Sequence, residues 1–119
     1  MQSQTFRSLG VSDVVADALE ARGMAAPFEI QSQVIPDAIN GQDILAKSPT
    51  GSGKTLAFAI PVVEQLERDA PSPAALILVP TRELAAQVAA ETSAIAKARL
   101  KGLPKMHSGV IDVSDVWIE

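Results

Sequence analysis

Cysteine and tyrosine are absent from this 119-residue chain, and histidine and tryptophan occur once each, as His107 and Trp117. Without thiols there is no disulfide framework, no thiolate metal site and no cysteine nucleophile. One histidine excludes a multi-histidine metal cluster. No run approaches the ~18 consecutive apolar residues of a membrane span. The stretch from Met1 to Ser8 is polar and carries no apolar signal-peptide core, so the expected setting is the cytoplasm, with no membrane partner. Excess positive charge is also missing. Ten Lys and Arg against fourteen Asp and Glu leave a net charge of −4, so nucleic-acid binding would need a local basic patch. What remains is 47% hydrophobic and 20% charged, which excludes a disordered polar tail and suits one domain at ~150 residues per domain.

Turn and helix signals divide the chain. Ser12 and Asp13 can cap a helix to about Arg22, with Val15, Ala18 and Leu19 at helical spacing and Gly23 as its stop. A second helix is expected from Glu29 to the Asn40-Gly41 pair, bent or shortened at Pro36. Asp43–Ala46 reads as a short buried strand entering Ser48-Pro49-Thr50-Gly51-Ser52-Gly53. Lys54 to Arg68 then reads as a helix burying Leu56, Ala59, Ile60, Val63 and Leu66, with a local conflict at Pro61. Ala75–Val79 is a continuous apolar run between prolines and the clearest strand, followed by a helix capped by Thr81 and running to about Arg99. Strands alternating with helices predict an α/β fold with a parallel sheet and flanking helices. A boundary is expected near residue 105. Beyond it, 106–119 is acidic and apolar, with Val110–Val113 and Val116–Ile118 able to form a strand or a docking segment.

Three groups of residues carry chemistry. In Thr50-Gly51-Ser52-Gly53-Lys54-Thr55, the glycines let backbone N–H groups turn inward toward phosphate oxygens, and the next helix aims its positive end there. Lys54 supplies a point charge near the β/γ-phosphates, and the Thr55 hydroxyl suits Mg²⁺, a hard cation that prefers oxygen. In Pro80-Thr81-Arg82-Glu83, the hydroxyl, first helical amides and guanidinium can hold a phosphate. In Pro27-Phe28-Glu29-Ile30-Gln31, a glutamine amide can pair with adenine N6 and N7 through one acceptor and one donor.

Taken together, these groups resemble the DEAD-box ATP-dependent RNA helicases. Phe6, Gly23, Pro27, Ile30 and Gln31 look like the adenine-reading Q motif with its upstream aromatic. Ala46 to Thr55 with Leu56-Ala57-Phe58 looks like motif I, and Pro80 to Gln87 matches motif Ia. The resemblance spans roughly Phe6 to Arg99 and implies the first part of a RecA-like P-loop NTPase domain, incomplete in this chain. It implies that Gln31 and Phe6 hold adenine. Ser48, Pro49, Thr50, Gly51, Ser52, Gly53, Lys54 and Thr55 would hold the phosphates of ATP, with Lys54 and Thr55 as catalytic residues and Thr55 on Mg²⁺. Thr81 and Arg82 would make weak, sequence-independent contact with the RNA backbone.

Met24, Phe28 and Ser48 depart from the family's usual aromatic, small hydroxyl residue and alanine. The Asp-Glu-Ala-Asp and Ser-Ala-Thr motifs do not occur in the 119 residues, so ATP binding is expected from this chain and hydrolysis or unwinding is not. The alternative is a non-enzymatic interaction module, or self-association through an uncovered sheet edge.

Overall fold

The computed structural model describes residues 4–47, 53–67 and 75–100. Ser48 to Ser52, expected to hold phosphate, and the 106–119 tail, expected to form a strand or a docking segment, lie outside them. After a 3-10 turn at Arg7–Leu9 come α1 (Asp13–Ala21), α2 (Glu29–Ile39), α3 (Lys54–Gln65) and α4 (Arg82–Leu100). α3 packs between α2 and α4, and α4 also packs on α1.

Local chemistry explains the helix ends. Ser12 is extended and Asp13 supplies a carboxylate to the first turn of α1. At its other end Gly23, at φ 85°, lets its own N–H reach the Glu20 carbonyl and the Met24 N–H reach that of Leu19. This paired closure needs a left-handed residue at that point. Pro36 and Pro61 both sit inside helices, where each removes one backbone donor. Pro36 does not shorten α2, which runs to Ile39, whereas α3 stops at Gln65, short of the expected Arg68. Thr81 caps α4 as expected, its Oγ1 accepting from the Leu84 N–H at 3.1 Å.

One buried cluster unites Phe6, Leu9, Val11, Val15, Leu19, Ile35, Leu56, Ile60, Val63 and Ile95, with Met24 packed against it. Val15, Leu19, Ile35, Ile60, Val63 and Ile95 have no exposed surface, and such a side chain contributes about 1.5–3 kcal/mol by leaving water. A polar strap ties three elements beside it. Glu64 Oε1 accepts from the Ser12 Oγ at 2.7 Å and the Ser12 N–H at 3.2 Å, while Glu64 Oε2 lies 3.9 Å from Arg99 Nε. Arg99 Nη1 donates to the Val63 carbonyl at 3.0 Å and to that of Leu66, closing the end of α3. Arg7 pairs with Asp13 and Asp17 on the surface. The Asp13 hydrogen bond, more than the charge of Asp17, raises its guanidinium above the usual value. So exposed a pair adds little to stability.

The expected parallel sheet does not form among the described residues: neither Asp43–Ala46 nor Ala75–Val79 is a strand. An apolar run signals that a segment suits burial. A strand also needs a neighbouring backbone at ladder distance, and these two segments make no ladder with each other or with any other described residue. Leu45 is fully exposed, and Leu76 and Leu78 are 68% and 74% exposed, so they are not the buried strands their composition predicts.

Candidate nucleotide site

The start of α2 is built on Phe28, an extended residue with no side-chain acceptor to offer its helix. Gln31 compensates one turn later. Its Oε1 accepts the Phe28 N–H at 2.8 Å, which is the glutamine half of a capping box. The same amide reaches across 22 residues of sequence, and its Nε2 donates to the Gly53 carbonyl at 3.1 Å. Gln31 is 2% exposed. A glutamine amide has two donor hydrogens and two acceptor lone pairs. The two internal bonds use one of each and leave one of each, the complement that adenine N6 and N7 would need.

Gly53 is the N-cap of α3 and lies at φ 84°. A Cβ placed there would come within 2.5 Å of both the Phe28 ring and Gln31 Nε2, so glycine is required sterically as well as conformationally. The Gly53 carbonyl accepts twice, from Gln31 Nε2 and from the Ala57 N–H at 3.2 Å. Lys54 and Thr55 open the helix, Lys54 exposed and Thr55 half-buried. The first turns of α1, α2 and α4 carry Asp13, Glu29 and Glu83, but that of α3 carries no acid. Its positive end is therefore uncompensated from within its own first turn and reinforced by Lys54, an arrangement that attracts an anion.

The other expected site residues are dispersed. Phe6 is 3% exposed within the core cluster, where its ring packs with aliphatic side chains. Thr81 and Arg82 are exposed at the start of α4, and no hydrogen bond joins them to Gln31, Gly53, Lys54 or Thr55. A shallow cavity of about 560 Å³ lies against the start of α2, lined by Gln4, Ala26, Pro27, Glu29, Ser32 and Gln33, and contains neither Gln31 nor Lys54. No group of three or more potential metal ligands occurs among the described residues, and no described helix is long and apolar enough to cross a membrane. Sequence reasoning missed the bond from Gln31 to Gly53. A glutamine three residues after a helix start is a capping signal, but Phe28 in place of Ser or Thr hides it.

A family model described as DEAD/DEAH box helicase matches residues 28–113. The chain belongs to the DEAD/DEAH box helicase family. Among relatives of this helicase-family chain, DEAD-box ATP-dependent RNA helicase 36 of Oryza sativa is 46% identical over 91 residues, covering 76% of the chain and 18% of that protein. The Escherichia coli ATP-dependent RNA helicase DeaD is 45% identical over 85 residues, covering 71% of the chain and 14% of that protein. The chain thus spans less than a fifth of the length of these two relatives. Two solved structures are also similar. A DEAD box protein from Methanococcus jannaschii matches with TM-score 0.74 and 40% identity, over 81% of this chain and 26% of that one. Saccharomyces cerevisiae Dbp5, bound to RNA and ADP BeF3, matches with TM-score 0.75 and 28% identity, over 81% and 25%. These neighbours are RecA-like DEAD-box domains, so the helices of this helicase-family chain follow that fold even though no sheet forms among the described residues.

Proposed function

We propose that the chain forms part of the ATP-binding half of an RNA helicase, holding ATP and Mg²⁺ at the start of α3 and touching the RNA backbone at the start of α4. The observation that carries this reading is the N-terminus of α3: a left-handed Gly53, then Lys54 and Thr55, with no acid in the first turn. Backbone N–H groups and the Lys54 ammonium would hold phosphate oxygens. The half-buried Thr55 hydroxyl is a hard oxygen donor of the kind that fits Mg²⁺, a cation that would neutralise phosphate charge. Ser48 to Ser52 would complete the cradle. Gln31 would read adenine with its remaining donor and lone pair, with Phe6 packing beside the base; both are buried here, at 2% and 3% exposed, so a base would reach them only as neighbouring side chains move aside. Exposed Thr81 and Arg82 suit phosphate contact that fixes position without reading sequence. The expected cytoplasmic setting belongs to the same proposal.

Isothermal titration with ATP and Mg²⁺ tests the site. Lys54→Ala should remove most of the affinity in a protein that still melts normally. Equal binding curves would reject the assignment. Residues 1–119 should show no RNA-stimulated ATP turnover, because no carboxylate motif for positioning water occurs in them.

A second reading rests on the exposed apolar side chains of Leu45, Leu76 and Leu78. These favour self-association of the isolated chain. Light scattering that is independent of concentration would refute it.

A further inference from the structure

We infer that Phe28 is a positioning residue for the proposed nucleotide site, holding Gly53 so that the first N–H groups of α3 keep one direction. The inference rests on the reading of α3 as the phosphate end. Phe28 is unusual on two counts. It occupies a helix N-cap without a side-chain acceptor, and its large apolar ring is 58% exposed. Neither feature helps α2, whose orphan donor at Phe28 is met by Gln31. The ring finds its use across the gap. Its Cδ2 lies 2.5 Å from the point where a Gly53 Cβ would be, and Gln31 Nε2 lies equally close. The ring edge and the amide therefore meet on the Cβ side of Gly53 and close it, with room there for hydrogen only.

Gly53 has no side chain to cap its own helix; its carbonyl is held by the Ala57 N–H and by Gln31 Nε2, but a glycine's φ is free to vary, and the ring edge is what lies against it on the Cβ side. The turn it makes sets where the N–H groups of Lys54 and Thr55 point, and these groups have no partner within the helix. A glycine free to rotate would spread those donors over several directions, and binding would then have to order them. The bond from Gln31 Oε1 goes to the Phe28 backbone, not to its ring. Removing the ring therefore leaves the amide bridge in place and isolates the contribution of the aromatic edge.

The experiment compares the wild-type chain with Phe28→Ala and Phe28→Tyr. Three readouts are taken: titration with ATP–Mg²⁺, with Mg²⁺–tripolyphosphate and with adenosine; the melting temperature; and the nucleotide-free N–H to Hα couplings of Gly53, which report its φ. In Phe28→Ala, affinity for ATP and for tripolyphosphate should fall together by about threefold to tenfold. Adenosine binding and the melting temperature should hold, the Gly53 couplings should move toward averaged values, and Phe28→Tyr should restore both. Unchanged couplings with unchanged tripolyphosphate affinity would overturn the inference. So would an equal loss for all three ligands alongside a lowered melting temperature, because that marks a merely structural ring. If the wild-type chain binds neither ATP nor tripolyphosphate, the nucleotide reading fails. The couplings then decide alone: averaged in Phe28→Ala and restored in Phe28→Tyr supports the positioning role, and unchanged refutes it.

Discussion

Replacing Glu64 with alanine should destabilise the chain far more than an ordinary surface substitution. The Glu64 side chain is only 10% exposed and its carboxylate serves three donors: the Ser12 hydroxyl, the Ser12 backbone N–H and, more distantly, Arg99 Nε. A hydrogen bond to a charged group contributes about 1.5–3 kcal/mol, and an orphaned buried donor costs about 1–3 kcal/mol. The Arg99 contact, at 3.9 Å with Arg99 28% exposed, adds little. Two hydrogen bonds to Ser12, one of them long, therefore suggest a loss of about 2–4 kcal/mol. Ser12→Ala removes only the hydroxyl bond and should cost about half as much. The two changes share a partner, so the double variant should fall short of their sum. Urea unfolding of the four proteins, followed by helical circular dichroism, measures the cycle. A Glu64→Ala loss below about 0.5 kcal/mol, the range of neutral surface changes, would refute the reasoning.

Three further outcomes follow from the same geometry. Thr92 is buried on α4 and its hydroxyl has no partner among the described residues, so Thr92→Val should raise unfolding stability by about 1 kcal/mol; a loss would mean that the hydroxyl is satisfied in solution. Gly53→Ala should cost at least about 1–3 kcal/mol from its left-handed backbone alone, and its Cβ should displace Gln31 or Phe28, visible as a changed Gln31 side-chain amide resonance. GTP should displace a labelled ATP more weakly than unlabelled ATP does, because guanine offers two acceptors where adenine offers a donor and an acceptor; equal competition would show that Gln31 does not read the base.

The helices were legible because their signals are local. Asp13, Gly23, Asn40-Gly41 and Thr81 each act within a turn or two, and α1, α2 and α4 begin and end within a residue or two of their expected bounds. Pro36 misled slightly, because a helix held by buried Val34 and Ile35 tolerates one lost donor. The strands were not legible in the same sense. Ala75–Val79 is apolar enough to be buried in a sheet, but pairing is a property of two segments and no local pattern states which partner is in place. The site was partly legible. Gly53, Lys54 and Thr55 follow from spacing, whereas the Gln31 bridge and the Phe28 contact come from packing across more than twenty residues. Ser12 shows the same limit. It stands at the N-cap as expected, yet its hydroxyl donates to Glu64, 52 residues away, and does not cap α1.

The strap of Ser12, Glu64 and Arg99 gives α3 the mechanics of a lever. Its C-terminal end is pinned to two neighbouring helices, while its other end, seated on the core by Leu56, carries Gly53 and the Gln31 bridge. Twelve residues make a rigid arm of about 18 Å. A tilt of only about 3° about the pinned end would carry the start of the arm through about 1 Å, enough to lengthen the 3.1 Å contact between Gln31 and Gly53 past bonding distance. The amide bridge is thus a sensitive gauge of the angle of α3, and the strap at the far end is the fulcrum that sets its zero.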